Sequence, residues 1–307
     1  MAKRIAKWPL IFSERVGLHL KRSRLARFPA GRCLIDLVLW PADVWKVCST
    51  YRRAFNRGPR LLRPRTFNER LQRAKLFSRK ARHIVYADKI AVRDYVKQRV
   101  GSHVLSKLYW TGTDLRTVSN EILPKKFVIK PNHASGRILI VNDLDAFNWE
   151  QAYEQTSHWL EQDYSELAAE WQYRWIEPRL LIEEFLEGED GMSPRDYKFF
   201  CFRGRVEIVQ IDFDRFLNHT RTFVGRNFEV LPFGLSYARY PGTLVPPANF
   251  STMIEIAEAL AGRESFIRVD LYDVGRPIFG ELTLHPEAGL GRFDPPEYDA
   301  IVGKLMP

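Results

Sequence analysis

The chain has 307 residues, 45% of them hydrophobic and 27% charged, with 18 glycines and 18 prolines. That composition excludes collagen-like and mainly disordered classes and leaves room for one large domain or two modest ones. The net charge of +10 is uneven: residues 1–80 hold 21 Lys and Arg against four acids (+17), and residues 81–307 hold 26 against 33 (−7).

Cys33, Cys48 and Cys201 lack CxxC spacing and cannot all pair with one another. A disulfide scaffold or cysteine zinc site is therefore not expected, and a reducing, cytoplasmic setting fits. The longest apolar run near the N-terminus, 34–47, is interrupted by Asp36, Asp43 and Lys46, short of the roughly 18–20 residues a spanning helix needs. Charges also intrude before a secretory leader could form its apolar core.

The basic excess in the first 80 residues points to an anionic partner. From Trp8 to Arg27, apolar residues interleave with Lys21, Arg22, Arg24 and Arg27. This stretch reads either as a basic amphipathic helix on anionic lipid or as the solvated face of an ordinary helical extension. No zinc finger, RNP-like aromatic motif or helix-turn-helix accompanies the charge, which argues against nucleic acid.

Segment 59–65, with prolines at both flanks, reads as a linker. Thr66-Phe-Asn-Glu69 is a capping box opening a helix over 66–80. Asp88 opens a second helix, expected through Val100 and stopped by Gly101. A strand is expected at 127–130, then a small-residue turn over 132–137 and a strand at 138–141. Residues 149–176 have helical spacing. Strands follow at 180–186, 197–202 and 206–213, a helix over 251–262 ending at Gly262, and strands at 266–272 and 277–284. The irregular alternation predicts an α+β fold on antiparallel sheet and not a doubly wound parallel one.

The last two strands carry the densest chemistry. With a four-residue turn, Tyr272 opposes Pro277 and Arg268 opposes Glu281, and Arg268, Asp270, Glu281 and Thr283 share one face. Two carboxylates and a hydroxyl beside an arginine suit Mg²⁺ with nucleotide phosphates. A surface ion-pair ladder would have the same pattern, and a register one residue different would scatter it. Lys130 ends a strand before Asn132-His133-Ala-Ser135-Gly136-Arg137, where an ammonium and backbone N–H groups can surround phosphate. Glu183, Phe185 and Leu186 follow an apolar strand able to flank an adenine, and Asp196 and Lys198 share a strand face. Asp212, Asp214, Arg215 and Arg221 follow a strand directed toward the same cleft. His133, His219 and His285 are candidates for acid–base or phosphate contacts near neutral pH, against local hydrogen bonding. Cys201, in Phe199-Phe-Cys-Phe, reads as a small core residue.

The order of these features resembles the ATP-grasp superfamily. Pro64-x-Thr66-Phe-Asn-Glu69, Asp88-Lys89-x3-Arg93, Lys130-Pro-Asn-His133-x-Ser135-Gly136, Asp196-Tyr-Lys198 and Arg268-Val-Asp270 with Gly280-Glu281-Leu-Thr283 resemble its TupA-like branch. That branch is named for a protein of teichuronopeptide synthesis and is often found near capsule or O-antigen genes. The resemblance covers roughly residues 60–305. It implies two α+β subdomains gripping ATP: a basic N-terminal extension (1–58), an abbreviated pre-ATP-grasp region (59–125) and the ATP-grasp domain (126–307). Lys89 and Lys130 would bind phosphates, and His133, Ser135 and Gly136 would belong to the loop over the triphosphate. Glu183, Phe185 and Leu186 would line the adenine hinge, with Asp196 near the ribose and Lys198 near the phosphates. Asp270, Glu281 and Thr283 would hold Mg²⁺, with Arg268 and Lys198 as catalytic groups. Arg215, by its place after the strand ending at 213, reads as a catalytic group that contacts an acceptor carboxylate or phosphate, or else as one half of a surface ion pair. Thr283 stands where the superfamily usually has Asn, and Ala134 where relatives often have Gly.

The implied reaction joins a carboxylate to an amine through an acyl-phosphate, attaching an amino acid to a uronic acid of a surface polysaccharide or lipid-linked precursor. The extension would seat the protein at the inner face of the cytoplasmic membrane. A glycosyltransferase would need a different acidic motif (Asp212-Phe-Asp214 has the spacing), and a non-catalytic nucleotide-binding scaffold would not need Lys130, Asp270 and Glu281.

Overall fold

A computed structural model describes residues 28–188, 194–213 and 219–307, with positions 16, 20, 23 and 26. Trp8–Arg27, apart from those isolated positions, and Asp214 and Arg215 lie outside the described residues. The helices are α1 (Pro29–Phe55), α2 (Phe67–Phe77), α3 (Arg82–Ala87), α4 (Val92–Val100), α5 (Trp149–Glu161), α6 (Ser165–Ala168), α7 (Phe250–Ala261) and α8 (Tyr298–Gly303). The strands are β1 (Leu108–Gly112), β2 (Phe127–Pro131), β3 (Leu139–Val141), β4 (Leu180–Glu184), β5 (Asp196–Phe202), β6 (Arg205–Phe213), β7 (Thr220–Gly225), β8 (Gly234–Leu235), β9 (Phe266–Asp273), β10 (Pro277–Thr283) and β11 (Phe293–Asp294).

The Thr66 half of the capping box forms, while the Glu69 carboxylate bonds the N–H one residue before the cap, and the helix ends at Phe77 and not at 80. Thr66 Oγ1 accepts the Glu69 N–H at 3.2 Å, and Glu69 Oε2 reaches back to the Arg65 N–H at 2.9 Å. Asp88 differs from expectation. It ends α3, its carboxylate accepts the Ile90 and Ala91 N–H groups, and the next helix starts only at Val92. The turn it folds sets Lys89 apart from both helices. Residues 149–176 divide into α5, α6 and a 3-10 stretch over 171–175. Strand β7, beyond the expected end at 213, adds another antiparallel partner to β6.

Two antiparallel sheets form an α+β architecture. The four-stranded sheet runs β1-β4-β2-β3 and the five-stranded sheet β10-β9-β5-β6-β7. In the first, Phe127, Ile129, Leu180 and Ile182 pack with Ala152 and Trp159 of α5. In the second, period-two alternation sends Phe199, Cys201, Val209, Ile211, Val269 and Leu271 to one face, against α4 and α7. Cys201 is a buried core residue, as expected. The other face is divided: Phe200, Phe202, Ile208, Phe223 and Phe266 meet Phe67 and Leu71 of α2, and the rest is charged.

Helix α1 docks on this body through ionic and apolar contacts. Arg174 donates to Asp36 at 2.8 Å and to Asp43 at 2.7 Å, and Arg79 donates to Asp43 at 2.6 Å. Val47 packs with Leu76 and Ala169.

Candidate active site

The β9–β10 hairpin places the acidic pair by a different register from the simple one. Asp273 opposes Pro277 and Leu271 opposes Phe279, but beyond Gly280 Asp270 opposes Glu281 and Arg268 opposes Thr283. The expected pairing of Arg268 with Glu281 is therefore corrected by two residues. One residue comes from a shorter turn, which alone would move Glu281 to the wrong face, and one from a bulge at Gly280, which restores the parity. Phe279 and Leu282, an odd and an even position, both reach the core, and Glu281 and Thr283 join Arg268 and Asp270 on the opposite face.

Those side chains interlock. Arg268 Nε and Nη2 donate to the two oxygens of Asp270, each at 2.7 Å. Nη2 also reaches Glu281 Oε1 at 3.2 Å and Thr283 Oγ1 at 3.0 Å, and Thr283 donates to Glu281 at 3.0 Å. The charged row continues across the sheet, because Lys198 opposes Asp270 on one side and Gln210 on the other. Lys198 donates to Asp270 at 3.0 Å and to Asp196, and lies 3.8 Å from Asp212. Asp212 accepts from Arg221 Nε at 2.6 Å and lies 3.2 Å from His219 Nε2, and Arg221 Nη1 donates to Glu287 at 2.8 Å. A ladder of alternating charge thus spans all five strands on one face.

Burial and charge set the protonation of this row. Burial opposes ionisation of Glu281, but Lys89, Arg268 and Lys198 outweigh it and bring its carboxyl down to about 2. Asp212, likewise opposed by burial, is brought to about 2 by Arg221 and Lys198. Burial pushes Asp270 up against the pull of Arg268 and Lys198. Arg268 is held more firmly protonated: Asp270 outweighs the effect of burial.

The four-stranded sheet supplies the other wall. Lys130, near the end of β2, donates to Glu183 of β4 at 2.6 Å, and Ser106 donates to the other Glu183 oxygen at 2.8 Å. Arg93 lies 3.7 Å from the same carboxylate. These partners overcome burial and lower the Glu183 carboxyl. Lys89 donates to Ala134 O at 2.5 Å, tying the Asp88 turn to the loop after β2. Burial lowers the Lys89 ammonium, with Glu281 opposing that shift more than any other charge. Lys89 therefore feels Glu281 from one sheet and Lys130 and Glu183 from the other. Phe185 and Leu186 sit half-buried just beyond β4.

The loop after β2 is anchored from within. Asn132 donates to Asp88 and to Glu177 O, each at 3.0 Å, and accepts the Arg179 N–H at 2.8 Å. His133 is buried, with Nε2 3.1 Å from Trp159 O and Nδ1 3.2 Å from Asn132 Oδ1. Its pKa is lowered by burial. A phosphate contact would require the ring to leave both partners. Ser135 and Gly136 are exposed at the tip, and Gly136 has φ +71° with open space where a Cβ would stand.

Residues 69–307 match the family model described as TupA-like ATPgrasp. The chain belongs to the TupA-like ATP-grasp family. Among solved structures, D-alanine–D-alanine ligase from Bacillus anthracis complexed with ATP aligns at 16% identity and TM-score 0.40, over 65% of this chain and 55% of that one. The ATP-grasp ligase PsnB with minimal precursor, Mg and ADP aligns at 10% and 0.36, over 68% and 52%. N5-carboxyaminoimidazole ribonucleotide synthetase from Thermotoga maritima aligns at 14% and 0.35, over 65% and 42%. The chain spans about half the length of these structures or less. No curated protein sequence matches it.

In this TupA-like ATP-grasp chain, Lys89, Lys130 and Glu183 form one group, and Asp196, Lys198, Arg268, Asp270, Glu281 and Thr283 another, coupled through Lys89 and Glu281. The cross-strand carboxylates of Asp270 and Glu281 give hard oxygen donors that fit Mg²⁺ shared with phosphates. Among the described residues no group of three or more His, Cys, Asp or Glu is arranged to hold a metal alone. Sequence reasoning missed Ser106, and also Glu170, which lies 3.2 Å from His285 Nδ1. Burial pushes Tyr173 well up, with Glu170 and Glu281 adding to the shift.

Proposed function

We propose that this TupA-like ATP-grasp protein is an ATP- and Mg²⁺-dependent carboxylate–amine ligase. The observation that carries the reading is the cross-strand placement of Asp270 opposite Glu281, with Arg268 and Lys198 bonded to Asp270 on the same face; the Lys130–Glu183 pair of the other sheet and the pull of Lys89 on Glu281 support it. Asp270 and Glu281 would hold Mg²⁺, which supplies charge neutralisation for the phosphates. Lys89 and Lys130 would bind phosphate oxygens, with the Ser135–Gly136 tip covering them. Phe185 and Leu186 would flank the adenine, Glu183 would hold Lys130 in position, and Asp196 would lie toward the ribose.

The acceptor carboxylate oxygen attacks the γ-phosphorus, ADP departs, and the acyl-phosphate forms. The amine then attacks the acyl carbon, phosphate leaves with the bonding pair, and the surplus amine proton passes to solvent. Arg268 and Lys198 would stabilise the oxygens on which charge grows in both steps; such electrostatic positioning supplies most catalysis of this kind. Arg215 would meet the acceptor. No protein nucleophile is required. For the acceptor we propose a uronic acid of a surface polysaccharide or its lipid-linked precursor, and for the amine an amino acid. The basic residues within 1–58 would hold the enzyme at the anionic inner face of the cytoplasmic membrane. A glycosyltransferase reading draws no support from Asp212-Phe-Asp214, because Asp212 is buried and paired with Arg221.

The test is incubation with ATP, Mg²⁺ and a panel of amino acids and uronic acids, followed by ADP measurement and mass spectrometry. ADP release that requires both substrates, with an amide product, is expected. UDP release from a UDP-sugar, or absence of nucleotide binding, would overturn the reading.

A further inference from the structure

Helix α1 is apolar on two opposite sides. Ile35, Leu39 and Val47 are buried toward the body, while Ala30, Cys33, Leu34, Leu37, Val38 and Pro41 are exposed. The exposed set follows a helical 3-1-3-1-3 spacing, one stripe about 16 Å long. Leu34, Leu37 and Val38 are 53%, 70% and 48% exposed. A helix on the surface of a soluble protein normally turns charge outward at such positions. Here the charged residues of the same turns are occupied elsewhere: Arg32 lies over the Trp175 ring, and Asp36 accepts from Arg174 and from Trp175 Nε1. Exposed Phe77 packs edge-on against Trp40 and widens the patch.

We propose that the Ala30–Pro41 stripe of α1 lies in the headgroup–acyl boundary of an anionic bilayer. Charge complementarity selects this occupant. Residues 1–30 carry eight Lys and Arg against the single acid Glu14, so an anionic surface attracts the segment that leads into the stripe, and the stripe then inserts. Among the described residues no helix is long and apolar enough to cross a membrane, which matches a helix lying on the surface. The proposal rests on the membrane association proposed above and is independent of the ligase chemistry. It makes α1, and not Trp8–Arg27 alone, the inserting element.

Cys33 is exposed within the stripe, Cys48 half-buried and Cys201 buried. The full-length protein carrying Cys48→Ser is labelled at Cys33 with a polarity-sensitive fluorophore and mixed with phosphatidylcholine vesicles, with or without phosphatidylglycerol. The expected result is co-sedimentation and a blue-shifted emission with the anionic vesicles only. Leu34→Glu with Leu37→Glu in the unlabelled protein should weaken that binding about tenfold or more, with an unchanged melting temperature and unchanged ATP binding. If the double variant binds anionic vesicles as wild type does and the Cys33 emission stays unshifted, the stripe proposal fails while the membrane reading survives. If wild type ignores anionic vesicles, both fail. A Cys33 that resists labelling in the free protein, or a solution dimer lost in the double variant, would show the stripe covered by this chain or a second copy and would equally overturn the proposal.

Discussion

Lys89, in the turn before α4, and Glu281, on the edge strand of the other sheet, are each other's foremost charged neighbours. Their mutual electrostatic influence runs between the two halves of the site, where the triphosphate is proposed to lie. Lys89→Met and Glu281→Gln should each lower ATP-dependent turnover roughly 10²–10³-fold, the scale seen when one preorganised electrostatic group is removed. Because the two charges act on each other, the double variant should lose less than the sum of the single losses by about 1 kcal/mol or more. Strict additivity in a double-mutant cycle on nucleotide affinity and turnover would show that they act separately.

Gly280 is the residue that lets Glu281 face Asp270. A Cβ there would stand 3.1 Å from Asp270 O and 3.1 Å from the Tyr272 ring, so neighbouring strands would have to give way by a few tenths of an ångström. Gly280→Ala should lower stability by about 1 kcal/mol and turnover by about tenfold or more, since small displacements of positioned groups are costly. Deleting Gly280 should do more, removing the bulge and turning Glu281 toward the core. Wild-type turnover in Gly280→Ala, alongside a lowered urea midpoint, would show that the bulge does not aim the acid.

The readability of this site followed from which residues alternate. Arg268, Asp270, Glu281 and Thr283 lie two apart on their strands, so their shared face was legible although their partners were not. The shorter turn and the bulge have no alternation of their own, and together they moved the pairing by two residues, which leaves the face unchanged. Thr66 and Glu69 announced α2 because capping chemistry is local. Strand β7 was missed because Arg221 interrupts the apolar alternation of a short segment, and Asp212 meets that arginine only in the folded sheet. Glu170, which meets His285 only in the folded chain, and Tyr173 lie in a stretch with no clean period. The double apolar surface of α1 was hidden for the opposite reason: a helix apolar on two sides shows no single stripe in sequence.

Asp212 links the charged row to acid stability. Its folded value of about 2 lies below its ordinary 3.8, so its stabilisation is fully present above about pH 5 and is lost as pH falls toward 2. The shift corresponds to about 2 kcal/mol. Asp212→Asn should cost about 3 kcal/mol near neutrality, because Arg221 and Lys198 lose a buried countercharge. The gap to wild type should narrow as the pH drops. Urea unfolding at pH 7, 5, 4 and 3 measures it, and parallel curves would mean that other carboxylates carry the acid transition.

The docking of α1 predicts where the chain can be shortened. Arg174 is buried between Asp36 and Asp43, and Val47 covers Leu76 and Ala169, so residues 29–55 belong to the folded body even though 59–65 reads as a linker. Removing residues 1–28 keeps the contacts of Asp36, Asp43 and Val47 with the body and should leave the melting temperature within about a degree. Removing 1–58 strips the partner of Leu76 and leaves Arg79 and Arg174 without their carboxylates, and should lower the melting temperature by several degrees and promote aggregation. Arg174→Ala tests the ionic part alone. It leaves Asp36 and Asp43 with Arg79, should cost about 3 kcal/mol, and should speed proteolysis in the 56–65 segment as α1 lifts away. A 1–58 truncation that melts like the intact chain would show that α1 only rests against the body and contributes nothing to its stability.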